Sequence, residues 1–394
     1  VLFALGMWMS TANYSAHSGY VVSDISAAGI ALCYSGPLLA GFAAFWFRGR
    51  PRFHRTMRSS RSGVAVLLTG GWPLLIGGPL VCCAAVLLSA RALPTDLVSA
   101  QLMVVFFAVL AACALLGAVS AWALPVVIAV PASTIACFMW ISYLPSTGSP
   151  LLHHMSPTID GFAPTARPAS SGIVAVLILA ATVALGAIAC LGRRTWDRTP
   201  RLAAVPVMLA VPLLAVGLSA GYLHTSTAPM GLMVTQDRST PLTCTTHHGL
   251  KVCLWPEVAD RAEEVVEATA SMNTTLESWG LPRITTIGQD RQQASDALYL
   301  RVDGTTDPAG LRLMLAEGYI EQQKTSCAAG EGQAFYERSV VLARAQGVST
   351  AELAAEFPQE TLKAASEVVQ EFGGRELGAW FTEGLDQVRC WPSA

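Results

Sequence analysis

Charge is what this sequence lacks most. Only 13% of its 394 residues are Asp, Glu, Lys or Arg, about half of the roughly 25% usual in soluble globular chains. Lysine is nearly missing: Lys251, Lys324 and Lys363 are the only three, and the other basic residues are arginine. Glutamate is absent before Glu257. These absences exclude an ordinary soluble fold for the first half, and a formal net charge of −2 gives no reason to expect a nucleic-acid partner. With lysine so scarce and alanine so common, the composition points to a high-GC bacterial genome.

The deficit is concentrated in one part of the chain. Residues 1–223 hold 12 arginines against four aspartates, whereas residues 224–394 hold 13 basic residues against 23 acidic ones. A basic, charge-poor part is thus joined to an acidic part of normal charge content. Uncharged apolar runs of about 20 residues, enough to cross a ~30 Å hydrocarbon core, occur six times, at Ile25–Phe47, Gly63–Ala90, Gln101–Ala123, Pro125–Leu144, Gly172–Gly192 and Leu202–Leu223. The opening VLFALGMWMST is apolar but too short to span, and it lacks the basic flank of a signal peptide. It reads as the tail of a seventh, partial N-terminal span.

The arginines set the expected orientation. Arg48, Arg50, Arg52, Arg55, Arg58 and Arg61 crowd one loop without an acid, and Arg193, Arg194, Arg198 and Arg201 crowd another beside Asp197. Short basic loops stay in the cytoplasm. The loops of the opposite side carry Asp24, Asp96 and Asp160 with only Arg91 and Arg167. The expected product is a polytopic α-helical membrane domain (1–223), a linker (224–231) and an extracytoplasmic α+β domain (232–394) in the cell membrane. No charge lies near the middle of a span, which argues against a proton- or sodium-coupled carrier. TGGWPLLIGGP (69–79) reads as a kinked helix packed through small residues, with a broken helix on a substrate path as the alternative.

Six of the ten cysteines lie within spans, where cysteine behaves as a small hydrophobe. The other four, Cys244, Cys253, Cys327 and Cys390, follow residue 224, where an oxidising compartment favours disulfides. Three pairings are possible, and Cys244–Cys253 with Cys327–Cys390 is the economical one. The first would staple a hairpin of TPLTC and LKVCLW around His247, His248 and Gly249. A zinc site on Cys244 and His247 would need two more ligands, and no second compact pair follows. Further on, residues 256–280 read as a helix that Gly280 ends. ALYLRV (297–302) reads as a strand, Asp307-Pro308 opens a helix, STAE (349–352) is a capping box, Pro358 and Gly373 bracket another helix, and 375–389 forms the last.

Catalytic signatures are lacking as well. There is no H-E-x-x-H, G-x-S-x-G or phosphate-binding G-x-x-x-x-G-K-[ST] pattern. Glu263-Glu264 reads as a solvated helix face, His153-His154 as an exposed polar pair, and Asn273-Thr274-Thr275 is a glycosylation sequon. Neither an enzyme nor a cofactor is expected. The span layout, the basic loops and the run Cys253-Leu254-Trp255-Pro256-Glu257 after Cys244 resemble actinobacterial ABC-permease-like, type-2 exporter-like membrane proteins with an extracytoplasmic C-terminal domain. Where those proteins often carry His after the Glu, this chain has Val258. The resemblance implies a non-catalytic membrane subunit of an export or self-resistance system. A separate cytoplasmic ATPase would dock on Arg48–Arg61 and Arg193–Arg201, and a homodimer is a further expectation. Contact of the same arginines with anionic lipid is the competing reading, and a membrane-anchored sensor or interaction protein is the alternative function.

Overall fold

The computed structural model describes residues 19–48, 71–147, 149–158, 166–192, 204–226, 235–238, 240–290, 297–323, 333–354 and 356–383. The chain divides into two compact units, residues 1–238 and 239–394.

In the first unit five helices are long and apolar enough to cross a membrane. They are Val21–Phe47, Pro73–Ala90, Leu97–Ala123, Val126–Ser146 and Ser170–Cys190, here the first to fifth spans. The sixth apolar run of the sequence forms a helix of 23 residues, Ala204–Ser226. The opening VLFALGMWMST lies outside the described residues, as do 49–70 and 193–203.

Local chemistry sets the ends of these helices. Asp96 caps the third span: its carboxylate accepts the Ser99 N–H at 2.7 Å, and the Ser99 hydroxyl oxygen accepts the Asp96 N–H at 3.3 Å. Leu124, preceding Pro125, is extended, so the third span stops there and the fourth begins at once. Asp24 departs from its expected place in a loop. It lies in the first turn of the first span and is buried, because the unpaired N–H groups of a helix start favour a carboxylate there.

The third span occupies the middle of the unit, in contact with the first, second, fourth and fifth. Small residues permit the approach. A Cβ at Gly117 would lie 2.1 Å from the Ala40 carbonyl oxygen, and one at Gly36 would lie 2.4 Å from Ile141 Cδ1. Within TGGWPLLIGGP the backbone forms a π turn over Pro73–Gly77, a widening that follows from proline inside a helix. Beyond Ser226 the chain pairs with the connection that precedes the fifth span. Strand β1 (Ala166–Pro168) runs antiparallel to β2 (Thr235–Asp237), with Arg167 opposite Gln236.

The second unit has a four-stranded sheet, β3 (Thr243–His247), β4 (Leu250–Leu254), β5 (Thr286–Gly288) and β6 (Leu298–Tyr299), in that spatial order. The first pair is antiparallel and the other two are parallel. Helix α1 (Ala262–Trp279) makes the crossover between β4 and β5, which parallel strands require. It follows a 3₁₀ turn at Pro256–Arg261 and ends at Gly280, whose φ of 76° takes the left-handed cap. The rest is helical: α2 (Pro308–Gln323), α3 (Gln333–Ala345), α4 (Thr350–Leu353), α5 (Gln359–Glu371) and α6 (Gly374–Glu383). Small sheet then helices is the α+β order the sequence predicts. The expected strand ALYLRV shrinks to two residues, although Leu300 and Val302 are still fully buried. Trp255, Met272, Ile287, Leu315, Tyr319 and Phe381 lie in the core of this unit.

Candidate functional site

Proline places unpaired carbonyls inside two spans. In an α-helix the Ile141 carbonyl would accept the N–H of residue 145. That residue is Pro145, which has no N–H and whose ring crowds the same carbonyl. The fourth span relieves the clash with a π turn over Met139–Tyr143. The freed Ile141 oxygen then lies 3.2 Å from the Ser156 hydroxyl and 3.2 Å from the Thr158 hydroxyl, which are 2.9 Å from each other. Three oxygens form a triangle held by two hydroxyl protons. Pro37 leaves the Cys33 carbonyl of the first span in the same position, and the Ser142 hydroxyl donates to it at 3.4 Å.

These bonds hold the connection after the fourth span down on the bundle. The Trp140 indole N–H donates to the Met155 carbonyl at 3.2 Å. His154, Met155, Ser156 and Thr158 are all buried. His153-His154 is therefore no exposed polar pair: His154 is only 4% exposed, because the connection folds inward at Met155. The sequence holds the signal for this site, a proline late in an apolar run followed by Ser-x-Thr. The partner of the orphaned carbonyl becomes identifiable only once the chain has folded back.

In the second unit Cys244 and Cys253 are joined at an S–S distance of 2.10 Å. They face each other in the hairpin register, His247 opposite Leu250 at its closed end. His248 and Gly249 form the turn with φ of 50° and 84°, the pair of positive values that a type I′ turn needs. Pairs alternate along an antiparallel ladder. Counting from His247–Leu250, Cys244–Cys253 falls on a non-hydrogen-bonded pair, the kind whose side chains are closest. His247 and His248 are thus hairpin-end residues, and the described residues bring no three His, Cys, Asp or Glu side chains together as metal ligands.

The run Cys253–Glu257 forms a corner. The Trp255 N–H donates to Gln289 Oε1 at 2.7 Å, while Gln289 Nε2 donates to the Val302 carbonyl, and Gln289 is 1% exposed. Below the corner the Arg261 guanidinium grips both Glu264 oxygens at 2.8 Å and reaches the carbonyls of Asp303 and Thr306. Glu264 is thereby an ion-pair partner. The sequon residue Asn273 is buried, and both ends of its amide are engaged by Ile284, at 3.0 and 2.8 Å.

Two charged groups in this unit are displaced from their usual ranges. Burial raises the Glu317 pKa, with Glu321 and then Glu356 adding to the rise and Arg301 opposing it. Burial lowers that of Arg338, with Glu337 opposing; the Arg338 guanidinium lies 4.7 Å from the Trp380 ring centre. Cys327, Cys390, Arg50, Arg52, Arg55, Arg58, Arg61, Arg193 and Arg194 lie outside the described residues, and Arg48 is the last helical residue of its segment.

The structure thus defines a membrane-type helical unit followed by a mixed α/β unit. Residues 252–390, less than half of the chain, match a family described as a domain of unknown function (DUF7224). The match begins inside β4, so it takes in the Trp255–Gln289 corner but not β3. No curated protein and no solved structure matches the chain.

Proposed function

We propose that the chain is the non-catalytic, permease-like membrane subunit of an ABC-type export or self-resistance system. In this reading Ala204–Ser226 is a sixth span, the arginine-rich loops face the cytoplasm, and the unit from Ser239 onward lies outside. ATP is hydrolysed by a separate subunit that docks on the loops of Arg48–Arg61 and Arg193–Arg194, and the assembly holds two copies of the chain. The observation that carries the reading is the pair of proline-freed carbonyls, Cys33 and Ile141, held by hydroxyls at the end of the bundle opposite the arginines. Side-chain bonds to orphaned backbone are a means of joining spans that can part and rejoin without unfolding.

Two experiments test this. Reporter fusions at Ser60 and at Ala394 give opposite signals if the orientation is right; equal signals sink it. Charge reversal at Arg52, Arg55 and Arg58 abolishes co-purification of an ATPase while membrane insertion persists. If the ATPase is retained, those arginines serve only orientation and contact with anionic lipid. A second reading, a membrane-anchored sensor or interaction protein, draws support from the disulfide-pinned hairpin, whose turn residue His248 is exposed.

A further inference from the structure

We propose that residues Met155–Thr158 are a gate, which opens when the Ser156 and Thr158 hydroxyls leave the Ile141 carbonyl. This rests on the permease reading and names the moving part.

Three observations support it. The segment is seated by single side-chain contacts to backbone, from Ser156, Thr158 and Trp140. No strand or long helix holds it: the four-residue helix Pro150–His153 ends just before it. Second, the acceptor exists only because of Pro145. When the segment lifts, no helical N–H is available to Ile141, so another donor must arrive. Leaving a buried carbonyl unpaired costs roughly 1–3 kcal/mol, and water is the donor at hand. Opening therefore has to wet this end of the bundle. Third, the wetted region contains built-in reporters. Cys137 lies one helical turn before Ile141. Cys113 meets Ile141 at Gly36, where an added Cβ would lie 2.4 Å from Ile141 Cδ1 and 3.6 Å from Cys113 Sγ. Both thiols are fully buried in the closed state.

The open state presents the Ile141 and Cys33 carbonyls to the space the segment vacates. Acceptors without donors suit a solute that brings hydroxyl or ammonium groups. The Ser142 hydroxyl, on the residue next to Ile141, bonds Cys33, so movement of the π turn releases both carbonyls together.

The test is the rate at which a charged methanethiosulfonate reagent modifies Cys113 and Cys137 in the full chain, held in lipid nanodiscs and read by mass spectrometry. Nanodiscs expose both faces, so the result does not depend on orientation; the reporter fusions and ATPase co-purification test the permease reading separately. Ser156→Ala with Thr158→Val removes both hydroxyls and raises the rate about tenfold, as expected for the loss of two hydrogen bonds. Pro145→Ala does the same without touching the segment, because it returns an N–H to Ile141 and takes away the hydroxyls' acceptor. Thr158→Ser keeps a hydroxyl and stays at the wild-type rate. The gate is refuted if the double variant or Pro145→Ala labels no faster than wild type. It is equally refuted if Cys82 and Cys83, buried in the second span, become reactive to the same degree, since that is general loosening.

Discussion

The guanidinium carbon of Arg238 lies 4.2 Å from the centre of the Tyr20 ring. Arg238 is the last residue of the first unit, and Tyr20 immediately precedes the first span. The chain therefore fastens its own exit to the start of the bundle, with β2 paired on β1 alongside. Arg238→Ala removes the cation–π contact, worth about 1 kcal/mol. Amide exchange at Gln236 and Arg167 in the β1–β2 ribbon accelerates several-fold, while exchange in the third span is unchanged. Arg238→Lys falls in between.

The disulfide is the second point of leverage. Its loop is short, and the chain-entropy estimate for such a closure is roughly 2–3 kcal/mol. Cys244→Ser and Cys253→Ser lower the denaturant midpoint of the C-terminal unit alike, and the double variant is no worse than either single. Non-reduced peptide mapping returns the linked pair. His247→Ala is silent. His248 differs from it, since its φ of 50° puts it in the left-handed region. His248→Val costs about 1 kcal/mol, and His248→Gly costs nothing measurable.

Gln289→Leu tests the corner. The substitution strands a buried N–H on Trp255 and a buried carbonyl on Val302, about 2–4 kcal/mol together. Chemical denaturation of the full chain shows an earlier transition in the C-terminal unit, and Trp255 fluorescence shifts to the red as water enters.

Glu317 gives a pH dependence of known sign. Its folded pKa is raised above the ordinary 4.5, chiefly by burial. The folded state therefore holds the proton more tightly than the unfolded one. That stabilisation is complete below the ordinary pKa and is lost as pH rises through the raised value. Glu317→Gln removes the dependence, so the variant is the more stable chain at pH 8 and the advantage disappears by pH 4. Thermal unfolding of the C-terminal unit at the two pH values measures it. Equal gaps at both would show that the carboxyl does not titrate with folding.

Much of the fold is legible in the residues alone. A stretch without charge and about 20 residues long must be helical in lipid, because nothing else satisfies its backbone; five such stretches are helices of spanning length. Ser349 and Glu352 carry their capping box in the sequence, and both of its bonds form, at 3.3 and 2.7 Å. Likewise Cys244 and Cys253 announce their own hairpin, since nine positions with a glycine turn between them admit one simple geometry.

What the sequence could not decide was the fate of atoms with more than one possible partner. Pro145 declares that the Ile141 carbonyl is orphaned, a local fact. That Ser156 and Thr158 would fill it, burying His154 on the way, depends on a connection folding back over 15 and 17 positions. Asp24 shows the same division. Its charge marks the end of an apolar run, but whether it lies in a loop or in a buried first turn depends on what packs over it. Covalent geometry and solvent preference act within a few residues and are written in order along the chain. Hydrogen-bond satisfaction in a buried space is a competition among all groups brought there, and only the tertiary fold settles which of them arrive.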